Sequence, residues 1–254
     1  PSKEDAIEGL RQLTEDIKFE NTRYQKDVID ALFRQPFSDE TIPYADNIIP
    51  GKIFASDFDL GIMGEAYYDA GSEANYGGDF SAWNNGWAYR NDNVDIQDNE
   101  DPLSNGYNVG WIESDEWMQY TLKDPTSGLY NIKVRVATED NDGSFYFKIN
   151  DNQVTDLINV PNTESWTNWS FINIDSLVVY DTDDKFVFQV KTGTFNLGFF
   201  EFERIGDINL LQTKYISSFT LSENSININF NKNLDNTSTL NKSDFILNIN
   251  DQEK

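Results

Sequence analysis

The chain has 254 residues, and 19 Lys and Arg against 44 Asp and Glu give it a formal net charge of −25 at pH 7. This charge repels phosphate backbones and anionic lipid surfaces, so nucleic acid and membranes are not expected partners. The sequence contains no His and no Cys. Imidazole metal sites, Ser-His-Asp triads, thiolate catalysis and disulfides are therefore excluded.

The first 47 residues are predicted to be a helical tail of a preceding domain followed by a linker. Ser2 and Asp5 have capping-box spacing, and apolar residues recur at helical intervals through residues 7–17 and 24–33. We therefore predict two short amphipathic helices within residues 3–34. A pair this short cannot form a core alone, so its apolar stripes are expected to dock on a missing neighbour or on the following domain.

Residues 48–206 are predicted to form an antiparallel β-sandwich, and the fold class is mainly β. Alternation of apolar and polar residues in 130–136, 145–147 and 186–190 is typical of strands with one face in a core. In the last strand Phe195, Leu197 and Phe199 share one parity, whereas Phe200 and Phe202 share the other. A β-bulge or a change of buried face is needed there.

Residues 207–254 are predicted to be a partial Ig-like β-domain. Strands are expected at 216–221, 226–230 and 245–249, and fewer than about fifty residues are too few for a complete sandwich. The chain begins without Met and stops within a strand pattern. We expect it to be an excised piece of a larger protein.

Aromatic and amide side chains in turn-rich segments predict a sugar-binding site. Tyr89 and Trp166 supply rings, and Asn196 supplies an amide on the strand face opposite Phe195. Apolar C–H faces of a sugar stack on aromatic rings, while its hydroxyls take hydrogen bonds from planar polar groups. Trp83 and Trp87 are further ligand candidates whose alternative role is to anchor loops.

Other interpretations of these residues remain open at this point. The Trp residues at 111, 117 and 169 are assigned to core or strand-face packing, and all the aromatics could belong to a structural or adhesion spacer. Glu113 and Glu116 resemble the paired carboxylates of a small glycoside hydrolase. However, positions three apart on a strand point to opposite faces, which disfavours that pair.

Residues 48–205 resemble a family 6 carbohydrate-binding module, a jelly-roll sandwich often attached to polysaccharide-degrading enzymes. The matching motifs follow one another in the family's order at residues 49–59, 68–69, 85–90, 94–96, 106–111, 116–120, 128–137, 160–169 and 195–200. The resemblance implies a loop cleft in which two rings enclose one sugar ring and an Asn binds its hydroxyls. Tyr89 and Trp166 match the rings, and Asn196 matches the amide.

The resemblance also implies a biological setting. The chain would bind a neutral algal or plant-type polysaccharide, such as a β-glucan or agar-type galactan, and target an appended glycoside hydrolase to it. It would be a secreted or cell-surface bacterial protein and a monomer tethered to other domains. No catalytic residue is assigned to the chain itself.

Two features depart from the family pattern. Family members usually carry two Glu residues on the first strand that help to hold a structural calcium ion, and here those positions are Phe54 and Ser56. The sequence therefore places the calcium site in doubt and requires no cofactor. An insertion at residues 74–84 is expected to lengthen one wall of the cleft, and it would either change the length of ligand that fits or block one end.

Overall fold

A computed structural model describes residues 2–70, 85–86 and 88–208 in full, together with the backbone of residues 215–222, 225–230, 248–249 and 252–253. The chain divides into two compact units, residues 1–207 and residues 208–254. No helix in the described part of the chain is long and apolar enough to span a membrane. The first unit contains both helices and the sandwich.

The two predicted helices are confirmed as α1 (Lys3–Asp16) and α2 (Lys26–Phe33). The capping box is present, since the backbone N–H of Asp5 donates to Ser2 Oγ over 3.1 Å and the backbone N–H of Ser2 donates to the Asp5 carboxylate over 2.9 Å. α1 buries none of its residues. The apolar side chains of α1 are therefore exposed to solvent in the described part of the protein.

α2 contacts the sandwich through an acidic side chain. The sequence had predicted that its apolar stripe would make such a contact. Asp27 and Asp30 are its buried residues, and Asp27 Oδ2 accepts from the backbone N–H of Asn91 over 2.6 Å. Leu32 and Phe33 remain 61% and 68% exposed. A short helix can thus dock through a buried carboxylate that accepts a backbone hydrogen bond, even when its apolar face is left in solvent.

The described residues of the first unit form twelve strands. They are β1 (Gly51–Phe54), β2 (Tyr67–Tyr68), β3 (Ile96–Asp98), β4 (Tyr107–Val109), β5 (Trp117–Thr121), β6 (Gly128–Thr138), β7 (Ser144–Ile149), β8 (Asn152–Gln153), β9 (Ile158–Asn159), β10 (Ser165–Val179), β11 (Lys185–Thr192) and β12 (Asn196–Gly206). The first sheet has the order β10-β6-β12-β4-β3, with β1 also paired to β12. The second has the order β2-β5-β11-β7-β8, with β9 paired to β7. All these pairings are antiparallel, which confirms the predicted sandwich.

Phenylalanine rings from both sheets meet in the core. The ring centroids of Phe186 and Phe147 lie 4.8 Å apart within the second sheet, and those of Phe186 and Phe200 lie 5.1 Å apart across the sandwich. The predicted alternation is confirmed, because the apolar positions of β6, β7 and β11 are in this core. Fully burying such a side chain stabilises a fold by roughly 1.5–3 kcal/mol.

The predicted irregularity of β12 is a β-bulge at Gly198. Leu197 pairs with Val136 and Phe199 pairs with Arg135, so Gly198 is an extra residue on β12. Before the bulge Leu197 faces the core, and after it Phe200 does. Phe199 instead packs on the outer face of the first sheet, with its ring centroid 6.0 Å from that of Phe171. The parity change is thereby explained.

In the described part of the second unit the strands are β13 (Tyr215–Ser222), β14 (Ser225–Phe230), β15 (Asn248–Ile249) and β16 (Gln252–Glu253). β13 pairs antiparallel with β14, and β15 pairs antiparallel with β16. The strands expected at 216–221 and 226–230 are present. Of the strand expected at 245–249, the described part is β15.

Candidate functional site

A cavity of about 390 Å³ lies where β3, β6, β10 and β12 of the first sheet meet the loop after β4. It is lined by Gln97, Trp111, Asp140, Trp166, Thr194, Phe195 and Asn196. These residues come from segments far apart in sequence, and the antiparallel sheet brings them together at one end. The volume is within the usual range for small-molecule sites.

Two tryptophans on this cavity are exposed. Trp111 follows β4 and is 49% exposed, and Trp166 near the start of β10 is 36% exposed. Trp111 has a positive φ of 48°, a left-handed conformation that a bulky residue rarely adopts. Rings held at a cavity in this way provide apolar surface for the C–H faces of a ligand.

Asn196 lines the cavity and also fixes Trp166. Its Nδ2 donates to the backbone carbonyl of Trp166 over 2.8 Å. A Cβ on Gly110 would lie 2.9 Å from Asn196 Oδ1, so only glycine leaves room for the amide there. An Asn side chain has two N–H donors and two acceptor lone pairs. One donor is used on Trp166, and the remaining capacity is available to a ligand.

Thr163 and Thr138 form the base of the loop that carries Trp166. The backbone N–H of Thr138 donates to Thr163 Oγ1 over 2.8 Å, and Thr163 Oγ1 donates to the Thr138 carbonyl over 3.0 Å. Asn168 Nδ2 donates to the Thr163 carbonyl over 2.6 Å. Both threonines are buried. The loop is therefore fixed before any ligand binds.

Among the described residues that line the cavity, Asp140 is the one carboxylate. Glycoside hydrolysis ordinarily needs two carboxyl groups on either side of the bond. Glu113 is exposed and Glu116 is buried, and neither lines this cavity. The carboxylate pair considered from the sequence is therefore not brought together here.

Glu116 is a buried acid outside the cavity. Its Oε1 accepts from the backbone N–H of Ala70 over 3.2 Å. Burial raises the pKa of its carboxyl to about 9, and the nearby carboxylate of Asp69 raises that pKa further. Glu116 is thus protonated at neutral pH. An acid in this state can affect the dependence of stability on pH.

Tyr89 is not among the described residues that line the cavity containing Trp166, and its assignment as a ligand residue stays a prediction. The Tyr89 hydroxyl donates to Asp57 Oδ1 over 2.8 Å, and its ring stacks on Tyr107 with centroids 4.5 Å apart. Burial raises the pKa of the Tyr89 phenol. The exposed ring that lines the cavity together with Trp166 is that of Trp111. Tyr89 instead supports the neighbouring loops.

Sequence reasoning assigned Trp111 to packing and so missed it. Its exposure could have been predicted from its position directly after Gly110. There it lies between the short strands β4 and β5, where no neighbouring strand covers a large ring. Trp83, Trp87 and the insertion at residues 74–84 lie outside the described residues. Their predicted roles stay predictions.

The positions that the resemblance associates with calcium do not fit that ion. Phe54 carries no ligand oxygen, and its ring lies edge-on to Phe199 with centroids 6.1 Å apart. Ser56 Oγ is buried and accepts from Asn105 Nδ2 over 3.0 Å. Within the described ranges no group of three or more acidic residues could hold a metal ion. Calcium prefers six to eight oxygen ligands.

A lysine ammonium lies on the outer face of β1. Lys52 Nζ donates to the Leu103 carbonyl over 2.9 Å and lies 4.0 Å from the centroid of the Phe199 ring. This contact connects β1 and β12 with the loop after β3. A protein cation over an aromatic ring is a favourable pairing.

Residues 88–204 match the family model described as carbohydrate binding module (family 6). This match confirms the resemblance of the matched segment to a family 6 carbohydrate-binding module. Among curated proteins, the alpha subunit of clotting factor G from Tachypleus tridentatus is 29% identical over 121 residues. The match covers 47% of this chain and 16% of the relative, so the chain spans a small part of that protein's length.

Two solved structures are similar to this chain. The C-terminal family 6 module of LamC, a marine laminarinase from Zobellia galactanivorans, is 26% identical, with a TM-score of 0.40, over 44% of this chain and 88% of that one. A β-1,3-glucan-binding family 6 module from Bacillus halodurans is 17% identical, with a TM-score of 0.44, over 63% of this chain and 99% of that one.

Proposed function

We propose that the sandwich binds a neutral polysaccharide, such as a β-glucan or an agar-type galactan, in the cavity that Trp111 and Trp166 share. The observation that carries this proposal is the convergence of two exposed tryptophans and Asn196 on one preformed cavity. Glucose units in β-linkage carry their substituents near the ring plane and present flat C–H faces. Such faces stack on indole rings while the hydroxyls reach an amide.

The expected affinity is weak. Aromatic stacking contributes roughly 0.5–1.5 kcal/mol per contact beyond the buried area. Two such contacts and a few hydrogen bonds correspond to dissociation constants on the order of millimolar to micromolar. Weak binding at one site suits a module that must move along a polymer.

Charge favours a neutral glycan over a sulfated one. Asp140 is an acidic residue on the cavity, and the whole chain carries a net charge of −25. Sulfate or uronate groups would be repelled unless a cation faced them. No Lys or Arg is among the described residues that line the cavity.

The proposed role is to hold an appended enzyme on its substrate. Tethering raises the effective concentration of the enzyme near the polymer without lowering a chemical barrier. We propose that the parent protein is a secreted or cell-surface glycoside hydrolase, and that this chain acts in it as a tethered monomer. The competing interpretation is a structural spacer that binds no glycan.

Affinity electrophoresis of the 254-residue chain distinguishes these interpretations. The gels contain laminarin, mixed-linkage β-glucan, xylan, agarose or carrageenan, and wild type is compared with Trp166→Ala. Tyr180→Ala is the matched control, because Tyr180 is 50% exposed and does not line the cavity. We expect a neutral glycan to retard wild type and Tyr180→Ala but not Trp166→Ala.

Two results would contradict the proposal. If none of the glycans retards the chain, the spacer interpretation is favoured. If Trp166→Ala is retarded as strongly as wild type, the ligand binds elsewhere on the chain. Thermal unfolding of each variant establishes that the comparison is between folded proteins.

A further inference from the structure

We infer that the site binds an internal segment of its polysaccharide, because the cavity at Trp166 adjoins a second cavity that runs onto the outer face of the first sheet. This inference rests on the proposed function and adds the way in which the polymer lies on the protein. The second cavity measures about 720 Å³. Gln97 and Trp166 line both cavities. As far as the described residues go, a glycan stacked on Trp166 can therefore continue into the second cavity.

An irregularity in β10 presents the aromatic residues to both cavities. Ser165 pairs with Thr138 of β6, and Ser170 pairs with Val136. The four residues 166–169 thus stand opposite the single β6 residue between these partners, and they bulge away from the sheet. The first and last of the four are tryptophans. Trp166 lines both cavities, and Trp169 lines the second.

The β-bulge at Gly198 leaves space for the Trp169 ring. A Cβ at Gly198 would lie 3.3 Å from the Trp169 ring and 3.3 Å from Arg135 Cγ. These contacts are tight, so any other residue would displace the ring or the arginine stem. Trp169 therefore rests against the β12 backbone, and it is only partly buried. It can serve as a second stacking surface.

Arg135 forms a rigid, neutralised part of the second cavity. Its Nε and Nη2 donate to the two carboxylate oxygens of Asp101 over 2.9 and 3.2 Å. Its guanidinium also stacks on Phe171, 4.6 Å from the ring centroid. A bidentate pair of this kind fixes the geometry of both partners. The surface is preorganised, which lowers the entropic cost of binding.

The polar residues of the second cavity suit neutral sugar hydroxyls. Gln97, Asn108 and Asn168 place amides along it, and Asp98 and Glu100 add carboxylates. Among the described residues that line it, Arg135 is the one cation, and it is already paired with Asp101. The second cavity is therefore expected to prefer an uncharged glycan, as the cavity at Trp166 is. The ligand class is a neutral polysaccharide bound along its length.

Calorimetry with laminaribiose, laminaritriose and laminarihexaose tests this inference on the 254-residue chain. A second stacking contact predicts that wild type binds the hexaose about tenfold more tightly than the biose. Trp169→Ala is expected to reduce this ratio to near unity, and Trp169→Phe, which keeps a ring, to restore most of it. Trp166→Ala is expected to weaken binding of all three sugars, and Tyr180→Ala to leave the ratio unchanged.

Titration with long mixed-linkage β-glucan supplies a second readout. Internal recognition predicts many bound modules per polymer chain, whereas recognition of ends predicts one or two. One module per chain, or a hexaose-to-biose ratio that Trp169→Ala leaves intact, would overturn the inference and leave the proposed function standing. Failure of wild type to bind any of these glucans would overturn the β-glucan assignment first, and this inference with it.

Discussion

The side-chain amide of Asn196 donates a hydrogen bond to the backbone carbonyl of Trp166 over 2.8 Å, and this bond joins the start of β12 to the irregular part of β10. Asn196 is 5% exposed, and its amide donor is committed to the protein before a ligand arrives. The residue therefore has two functions. It lines the cavity, and it positions the Trp166 ring that we propose stacks on the sugar.

Replacing Asn196 should accordingly weaken binding by more than one ligand hydrogen bond. Asn196→Ala removes the ligand contact and releases the Trp166 loop, and we expect a loss of roughly 1–3 kcal/mol, or about tenfold to a hundredfold in affinity. Calorimetry against the glycan that retards wild type measures this loss. Asn196→Ser with unchanged affinity would show that the amide has neither function.

Because Trp111 lines the cavity and Tyr89 does not, we expect their substitution to have opposite effects on glycan affinity and on stability. Trp111→Ala should lower glycan affinity about tenfold with little effect on the unfolding temperature, since the ring is 49% exposed. Tyr89→Phe should leave affinity unchanged. It should lower the unfolding temperature by about 2–4 °C, because removing the hydroxyl leaves Asp57 without this bond at a cost of about 1 kcal/mol.

Affinity electrophoresis and differential scanning calorimetry of the same two variants check this pair of predictions. The reverse pattern, with weaker binding in Tyr89→Phe and normal binding in Trp111→Ala, would restore the assignment made from the sequence.

Lys52 leads to a prediction about calcium. We expect EDTA to leave the unfolding temperature of the first unit unchanged, because Phe54 and Ser56 offer no carboxylate and Lys52 itself bridges to Leu103. Lys52→Met should lower stability by about 1–2 kcal/mol through loss of the hydrogen bond and the cation–π contact.

Lys123→Met is the control for this experiment, since Lys123 forms an exposed ion pair with Asp46 and its replacement should lower stability less than that of Lys52. Scanning calorimetry measures the unfolding temperatures of wild type and both variants, first with EDTA and then with added calcium. Destabilisation by EDTA that calcium reverses would show that other groups hold the ion.

Glu116 should make the protein less stable as the pH rises. Its pKa is about 9 in the folded state against an ordinary 4.5, so between these values the folded protein keeps a proton that the unfolded chain releases. The free energy of unfolding therefore falls as pH increases through this window. Glu116→Gln should remove this loss of stability with rising pH. It should therefore stabilise the protein at pH 8 by on the order of 1–3 kcal/mol, with little effect at pH 5.

Thermal unfolding from pH 5 to pH 9 compares wild type, Glu116→Gln and Asp115→Asn. Asp115 is the matched control, because it is an exposed neighbour paired with Lys191. Parallel profiles for wild type and Glu116→Gln would show that the Glu116 carboxyl ionises normally.

The sandwich could be predicted from the sequence because its signals are local. Alternation in β6 identified the core residues, and the double parity around Phe199 and Phe200 identified a bulge before its position was known. The docking of α2 could not be predicted in the same way. Its inward face is marked by Asp27 and Asp30, and burial of carboxylates depends on partners elsewhere in the chain.

The site was predicted only in part for the same reason. Trp166 and Asn196, which were both predicted to bind the ligand, line one cavity. Trp111, which was predicted to pack, also lines it and Tyr89 does not, because whether a ring in a turn is covered depends on the loops that fold over it. Tyr89 is covered through Asp57 and Tyr107, and Trp111 is not. No spacing rule contains that information.

The stretch from Trp166 to Trp169 stands outside the regular pairing of β10 with β6. Insertions, deletions and exchanges of side chains there leave the register of the surrounding strands unchanged. Changes of side chain within this one short segment can therefore reshape the surface of both cavities while the hydrophobic core of the sandwich is left intact.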